Sequence, residues 1–328
     1  MRYFYKENPT LEKQIDDYFA RVSAYNNSRF GGALSILLLG SLSRGEGTWE
    51  RTATGVRLLS DIEYFTVYPD GFSDFAEFDA ETAEIGKTVF GEQSALFHID
   101  NSFMAKSALP HIERKLLTYD AKCFGKCVVG EDTVGLLPEI TIDNINLFDI
   151  RDILTHRAFS VLYYGLPMKQ SGDSAGYLYS LAKNSLDLMT VILIRHGILA
   201  SGFINREKEI ERLDIDAEMK RYFRFCLAVK LGEEPETSFT SDEAKAMFLK
   251  IESALAASFR VPARYIFVNF KAVVRRFLGM CKRAIRYRHI PSAGHLSRLL
   301  ESVRNETAIT KTEKLDNLVI NGYPEIGG

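Results

Sequence analysis

The sequence predicts an α+β fold, with a first part that combines short strands and helices and a second part that is all-helical. Before Pro138 the apolar residues form short runs bounded by turn residues, which is typical of strands, and from Asn146 onward they recur at helical spacing. The length of 328 residues suits about two domains. We therefore expect a strand-containing domain at 1–138, a helical domain at 139–304 and a polar tail at 305–328.

The composition is that of an ordinary globular protein, with 46% hydrophobic and 26% charged residues. The net charge of −2 provides no overall basic field for nucleic acid or a membrane surface. The first residues carry charges where a signal peptide needs an apolar core, and the longest apolar runs are too short to span a bilayer. Cys123 and Cys127 have no second pair or histidine cluster, so we expect ordinary thiols rather than a zinc site. These features predict a cytoplasmic protein without a membrane partner.

Four segments of the first part have the length and apolar content of strands. They are ALSILLL (33–39), LLSDIEYFTV (58–67), ALFHIDNSFM (95–104) and KCVVG (126–130). Period-two alternation places Asp61, Glu63 and Phe65 on one face of the second strand. The same alternation places His98 and Asp100 on one face of the third.

Helices are predicted between and after these strands. One begins at Pro9, a second is capped by Ser73, and a short third runs from Pro110 through Leu117. In the second part, the segment AGYLYSLAKNSLDLMTVILIRHGIL (175–199) is the most hydrophobic and predicts a buried central helix.

The turn after the first predicted strand has the features of a phosphate-binding loop. Gly40 has no side chain, so the backbone can approach a ligand closely. The N–H groups of the turn and the Ser41 hydroxyl can donate hydrogen bonds to phosphate oxygens. Arg44 adds a guanidinium that suits phosphate, although pairing with Glu46 in the same loop is an alternative.

Asp61 and Glu63 project side by side from the next predicted strand. Two carboxylates on one face repel each other and cost desolvation energy unless a positive group lies between them. Mg²⁺ prefers such oxygen ligands and also binds phosphate oxygens, and phosphoryl chemistry can use two metal ions. Asp100 on an adjacent predicted strand is the best third ligand, the alternative being an exposed acid near a strand end. The sequence therefore predicts a two-metal Mg²⁺ site.

The stretch GSLSRGEG…LLSDIEYFTV resembles the nucleotidyltransferase superfamily with the polymerase-β-like catalytic core. The shared pattern is hydrophobic–Gly–Ser, a spacer, Asp–hydrophobic–Asp/Glu–hydrophobic on a strand, and a later strand carboxylate. Within that superfamily, GSLSR…SDIE is most similar to the kanamycin-type antibiotic nucleotidyltransferases. The resemblance covers residues 34–104 and extends weakly through TYDAKCFGKCVVGED. It implies a small mixed β-sheet core with flanking helices, followed by an all-helical domain that closes the nucleotide cleft.

The resemblance also implies an activity, the metal-dependent transfer of a nucleoside monophosphate from an NTP to an acceptor hydroxyl with release of pyrophosphate. ATP is the first choice of nucleotide. By this resemblance, Gly40 and Ser41 hold the β- and γ-phosphates, and Asp61 and Glu63 ligate the metal ions. Asp100 helps to ligate the catalytic ion, and either it or a metal-bound hydroxide takes the proton of the acceptor.

Related enzymes place a lysine of the second domain against the triphosphate, and Lys183 on the predicted central helix is similar to it. A lysine that faces solvent is the alternative. Kanamycin-type enzymes carry an acidic base about one turn before that lysine, where this chain has Tyr177, Tyr179 and Ser180. Asp187 follows one turn later on the same helix face. It could replace the missing base only if the substrate were placed differently.

Because this base is missing, the resemblance does not imply that the acceptor is an aminoglycoside. A small hydroxylated molecule is our first expectation, and RNA or a protein partner of the toxin–antitoxin type is the second. A catalytically silent nucleotide-binding module is the alternative from a different functional class. The spacer before Asp61 is longer than the common pattern, which predicts an inserted loop with Trp49, Glu50 and Arg51 beside the site.

One basic segment falls outside this pattern. Seven Lys and Arg residues lie between Lys271 and Arg288, and Arg275, Lys282 and Arg286 share one helix face. We favour the solvated face of an amphipathic helix over a contact with phosphate or RNA.

Overall fold

The structure, a computed structural model, describes residues 2–52, 55–95, 97–258 and 295–306. The predicted basic helix at 271–288 and nearly all of the predicted polar tail lie outside the described residues.

The chain forms two compact units. The first runs through Asn146 and also includes the short segments Ser201–Asn205 and Leu231–Glu233, and the second contains the remaining described residues. The first unit combines a small mixed sheet with helices and the second is helical, which confirms the predicted α+β class. The domain boundary after residue 138 stays a prediction.

The first unit contains the four predicted strands and two further strands, which lie in the predicted inserted loop. In chain order they are β1 (Ser35–Leu38), β2 (Trp49–Thr52), β3 (Gly55–Leu58), β4 (Ile62–Tyr68), β5 (Ile99–Ala105) and β6 (Lys126–Val129). The four predicted strands, β1, β4, β5 and β6, form the mixed sheet, in the order β5-β4-β1-β6. Strand β1 is antiparallel to β4 and β6, whereas β4 is parallel to β5.

Helices cover this sheet. They are α1 (Pro9–Phe30), α2 (Gly40–Arg44), α3 (Phe75–Phe90) and α4 (Leu116–Phe124). Helix α1 begins at the predicted proline, and the side chain of Asn8 caps it by accepting a hydrogen bond from the Leu11 N–H at 3.1 Å.

The two central strands divide their side chains between two apolar clusters. Ile36, Leu38, Ile62 and Tyr64 belong to the cluster that includes residues of α1 and α3. Leu37, Leu39, Phe65 and Val67 belong to the cluster that includes Ala121 of α4. Because alternate residues of a strand point to opposite faces, Glu63 shares the face of Phe65, and Asp61 comes immediately before the strand.

Three local predictions for this unit are wrong. The predicted short helix from Pro110 through Leu117 is instead a 3-10 helix, Lys106–His111, followed by extended backbone and then α4. Pro110 lies inside the 3-10 helix, where its missing N–H is tolerated in so short an element. Ser73 does not cap α3, because the N-cap position belongs to Asp74. The predicted strand 58–67 is interrupted before β4, since its first residue ends the preceding strand β3.

The longer spacer between the glycine turn and β4 forms a β-hairpin. Strands β2 and β3 pair antiparallel, from Trp49 opposite Leu58 to Thr52 opposite Gly55. The base of the hairpin is closed by two hydrogen bonds of 2.9 Å that involve the backbone of Thr48. Its C=O accepts from the Leu59 N–H, and its N–H donates to the Ser60 hydroxyl.

The described residues of the second half of the chain form mainly helices, as predicted. These helices are α5 (Leu147–Ser160), α6 (Leu166–Gln170), α7 (Ser174–Arg195), α8 (Phe203–Arg212), α9 (Ala217–Leu231), α10 (Ser241–Ser258) and a final described helix, His295–Asn305. A π-helical turn, Val161–Gly165, separates α5 from α6. Helix α7 is buried along most of its length and packs against α5 and α10, which confirms the predicted central helix. In the described part of the chain, no helix is both long and apolar enough to cross a membrane.

Candidate functional site

Asp61, Glu63 and Asp100 meet at one end of the mixed sheet. Each offers a carboxylate oxygen, and these three oxygens lie within 4.8 Å of one another. Asp61 and Glu63 are half-buried, whereas Asp100 is exposed. The three acids that the sequence analysis selected therefore form one cluster, called the acidic triad below.

The sheet itself brings the acidic triad together. In the parallel pair β4–β5, Glu63 lies directly opposite Asp100. One residue earlier, the Ile62 N–H donates to the carbonyl oxygen of His98 at 2.9 Å, and the His98 N–H donates to Asp61 Oδ1 at 3.2 Å. Backbone pairing thus sets the positions of the carboxylates before any ligand binds.

The glycine turn packs directly against the acidic triad. The Leu39 N–H donates to the Glu63 carbonyl oxygen at 2.8 Å, so the end of β1 is tied to the strand that carries the carboxylates. Gly40 follows with φ +66°, and a Cβ atom at this position would overlap the Glu63 carboxylate. Both the backbone conformation and the space therefore require glycine here.

Ser41 lies at the start of α2, half-buried and adjacent to Gly40. The turn expected from the sequence is thus a helix of five residues. The Ser43 hydroxyl donates to the Gly40 carbonyl oxygen at 2.9 Å, and the Ser41 carbonyl oxygen accepts from the Glu46 N–H at 2.8 Å. The predicted phosphate-binding residues are therefore held in a short ordered element beside the carboxylates.

Arg44 has partners within the protein. Its guanidinium pairs with Glu46 at 2.7 Å and with Asp120 at 3.3 Å, and its side chain is only 8% exposed. Burial by itself would lower the pKa of Arg44, but the carboxylates of Asp120, Glu46 and Glu63 together raise it above its ordinary value. The pairing with Glu46 that the sequence left open is the one observed, and we leave Arg44 out of the proposed nucleotide contacts.

Asp120 lies inside α4, and its carboxylate is buried in the ion pair with Arg44.

The hairpin residues singled out by the sequence have structural contacts. The Trp49 indole N–H donates to the Lys6 carbonyl oxygen at 2.7 Å, and the Lys6 ammonium lies over the indole ring. Glu50 pairs with Arg57 across the hairpin. Arg51 is exposed. The hairpin is thus anchored at its base and charged toward its end.

Lys183 lies in the second unit, half-buried on α7. Burial lowers the pKa of His156 on α5 to about 3, and the positive charges of Arg157 and Lys183 act in the same direction. Asp187 pairs with Arg157 at 2.9 Å, so the acid one turn after Lys183 has a structural partner. Sequence reasoning did not single out His156, because burial, the main cause of its low pKa, follows from the packing of the helices and not from a local motif.

The acidic triad supplies the ligands that a hard divalent cation prefers. Three carboxylates this close together repel one another, and a bound Mg²⁺ would remove that repulsion. Their oxygen donors, two half-buried and one exposed, fit Mg²⁺ and leave one side accessible. Among the described residues, this is the group of acids, histidines and cysteines that fits a metal ion.

Comparisons with protein-family models, with curated proteins and with solved structures found no match to this chain.

Proposed function

We propose that the chain is a metal-dependent nucleotidyltransferase, which transfers a nucleoside monophosphate from an NTP to an acceptor hydroxyl. The observation that carries this proposal is the acidic triad beside Gly40, with its three carboxylate oxygens within 4.8 Å of one another. Asp61, Glu63 and Asp100 would hold Mg²⁺, which would neutralise charge on the phosphate oxygens. The adjacent turn supplies backbone and hydroxyl donors for the phosphates.

In the proposed reaction, an oxygen of the acceptor attacks the α-phosphorus of the NTP. The bond from that phosphorus to the β-phosphate oxygen breaks, and pyrophosphate leaves. Asp100, the exposed member of the acidic triad, accepts the hydroxyl proton. Gly40 and Ser41 hold the β- and γ-phosphates, so the protein contributes mainly position and charge.

The acceptor that we propose first is a small hydroxylated molecule, and ATP is the first nucleotide. The net charge of −2 supports a small acceptor, because an enzyme that acts on RNA needs a basic surface. RNA or a protein side chain is the second choice. Lys183 is proposed to contact the triphosphate, in keeping with the resemblance of its sequence context.

The test is transfer from each of the four α-³²P-labelled NTPs, with Mg²⁺, to a panel of hydroxylated small molecules, RNAs and proteins. Wild type, Asp61→Asn and Glu63→Gln are compared. We expect metal-dependent product from one NTP in the wild type and none in either variant. Glu84→Gln, which changes an exposed acid of α3 in the same unit, is the matched control and should retain activity.

Two results would count against the proposal. Equal transfer by wild type and both triad variants would remove the carboxylates from the mechanism. Metal-dependent stabilisation by an NTP without any product would instead favour the catalytically silent nucleotide-binding module.

A further inference from the structure

A second charged cluster is buried beside the acidic triad. It consists of Arg44, Glu46 and Asp120, whose side chains are 8%, 3% and 9% exposed. These residues come from the end of α2, the following loop and α4. Burying three charges is costly, and removing one partner leaves another buried without compensation. This cluster therefore joins three separate parts of the first unit through one guanidinium.

The segment Ser201–Asn205 covers the cluster, although it comes from much later in the chain. It belongs to the first unit. The Ile204 N–H donates to Glu46 Oε1 at 3.1 Å, so this carboxylate binds both the segment and Arg44. The ring of Phe203 lies 5.2 Å from the Arg44 guanidinium carbon, within the range of a cation–π contact. A distant segment thus shields the ion pairs from water.

Helix α2 depends on such anchors. A helix of five residues is too short to be stable by its own hydrogen bonds. Its first residue, Gly40, is tied to the acidic triad, because Leu39 bonds to the backbone of Glu63 and Gly40 packs against the Glu63 carboxylate. Its last residue is Arg44, held by the buried cluster. One end of α2 therefore abuts the proposed metal ligands and the other end is locked by the guanidinium.

We propose that Arg44 is a positioning residue, which holds α2 and the Glu63 carboxylate in the arrangement that binds a divalent cation. The guanidinium itself contacts neither metal nor nucleotide. The inference rests on the proposed function, because the group that is positioned is the acidic triad.

A purely electrostatic role and a positioning role of Arg44 predict opposite changes in cation binding when the residue is removed. If Arg44 acted only as a nearby positive charge, its removal would make the surroundings of Glu63 more negative and strengthen cation binding. If it positions α2 and Glu63, its removal would weaken cation binding despite the gain in negative charge. The direction of the change therefore separates the two roles.

The experiment measures binding of Mn²⁺ alone by electron paramagnetic resonance in wild type, Arg44→Gln and Arg44→Lys. Arg29→Gln is the control, since it breaks an exposed ion pair of the same unit, the 2.6 Å contact with Glu77. Amide hydrogen exchange across residues 39–46 and 201–205 is measured on the same proteins without metal. Arg44→Lys keeps the charge but cannot reproduce the planar contact with two carboxylates, and it serves if Arg44→Gln does not fold.

We expect the Mn²⁺ dissociation constant to rise roughly tenfold in Arg44→Gln and by less in Arg44→Lys, with no change in Arg29→Gln. Amide exchange should accelerate in both segments of the two Arg44 variants. Unchanged or tighter Mn²⁺ binding in a folded Arg44 variant would overturn the inference. If the wild type itself does not bind Mn²⁺, the proposed function fails. In that case, amide exchange across residues 39–46 that is the same in the Arg44 variants as in the wild type would separately refute the positioning role.

Discussion

Glu63 leaves no room for a side chain at Gly40, because a Cβ atom there would overlap its carboxylate. The turn after β1 and one member of the acidic triad are therefore a single packed unit. Any change that displaces one must displace the other.

Gly40→Ala should for this reason impair the site more than the fold. Displacing Glu63 by about 1 Å is expected to lower the transfer rate on the order of a hundredfold and to weaken Mn²⁺ binding. The measurements are steady-state transfer and Mn²⁺ titration. Gly31→Ala is the matched control, since Gly31 has φ +62° but a Cβ atom added there would meet no atom of the described residues within 4 Å. Both variants bear a left-handed backbone cost of about 1–2 kcal/mol, so equal losses of metal binding would contradict the prediction.

Asp61→Asn should separate metal binding from stability. Removing one of three mutually repelling carboxylates is expected to leave the thermal midpoint of the metal-free protein unchanged or slightly higher. The stabilisation that Mg²⁺ gives the wild type should disappear. Thermal unfolding with and without Mg²⁺ measures both effects. A variant that unfolds earlier without metal, yet keeps the full shift with metal, would show that Asp61 is structural.

His156 should make the protein less stable in mild acid. Its pKa is about 3 in the folded protein because of burial first and the neighbouring Arg157 and Lys183 next, whereas the unfolded value is 6.5. Between these values the unfolded chain binds a proton that the folded protein does not. Stability should therefore fall as pH drops below about 6.5, by at most about 1.4 kcal/mol per pH unit.

Urea unfolding at several pH values, on wild type and His156→Gln, measures this slope. The variant should have a shallower dependence between pH 6.5 and 4, while a change at the exposed His196 should not alter it. The same slope in His156→Gln and wild type would refute the assignment.

Glu252 should act in the opposite direction. It is fully buried on α10, and neither carboxylate oxygen has a hydrogen-bond partner among the described residues. Burial raises its pKa well above the ordinary value of 4.5. Above pH 4.5 the unfolded chain loses a proton that the folded protein retains, so stability should decline as pH rises.

Glu252→Met should therefore stabilise the protein, and by more at pH 8 than at pH 5. Chemical denaturation at both pH values is the measurement, with exposed Glu234→Gln as the control. A loss of stability at pH 8 would mean that the buried carboxyl has a favourable role.

Lys183→Met should test the contribution of the second unit to nucleotide binding. If Lys183 contacts the triphosphate, its removal should raise the dissociation constant for the NTP while Mn²⁺ binding to the acidic triad stays unchanged. Calorimetric titration with a non-hydrolysable NTP and with Mn²⁺ distinguishes the two. If the affinity for the NTP is unaltered, Lys183 does not contact the triphosphate, and the alternative of a solvent-facing lysine is favoured.

The acidic triad could be selected from the sequence because its spacing follows local rules. Glu63 lies on β4, Asp61 comes two residues before it, and Asp100 lies at the start of a later strand. The pairing of Glu63 with Asp100 needs only that the two strands are neighbours. Local pattern also located the central helix α7, because this is the most hydrophobic long segment of the chain.

Contacts between distant residues could not be predicted in the same way. Arg44 and Asp120 are 76 residues apart, and Ile204 binds a carboxylate 158 residues away. Pattern analysis of a single sequence contains no signal for such pairs, so Arg44 suggested phosphate binding. The break between β3 and β4 was missed because apolar residues lie on both sides of it, whereas the backbone bends at Ser60.

The closed base of the β2–β3 hairpin makes the connection between these strands a suitable position for an insertion. Since Thr48 is bonded to Leu59 and Ser60, changes in chain length beyond that base need not be transmitted to the carboxylates on β4. A fluorophore or affinity peptide could therefore be inserted between β2 and β3 without changing the strand that carries Glu63.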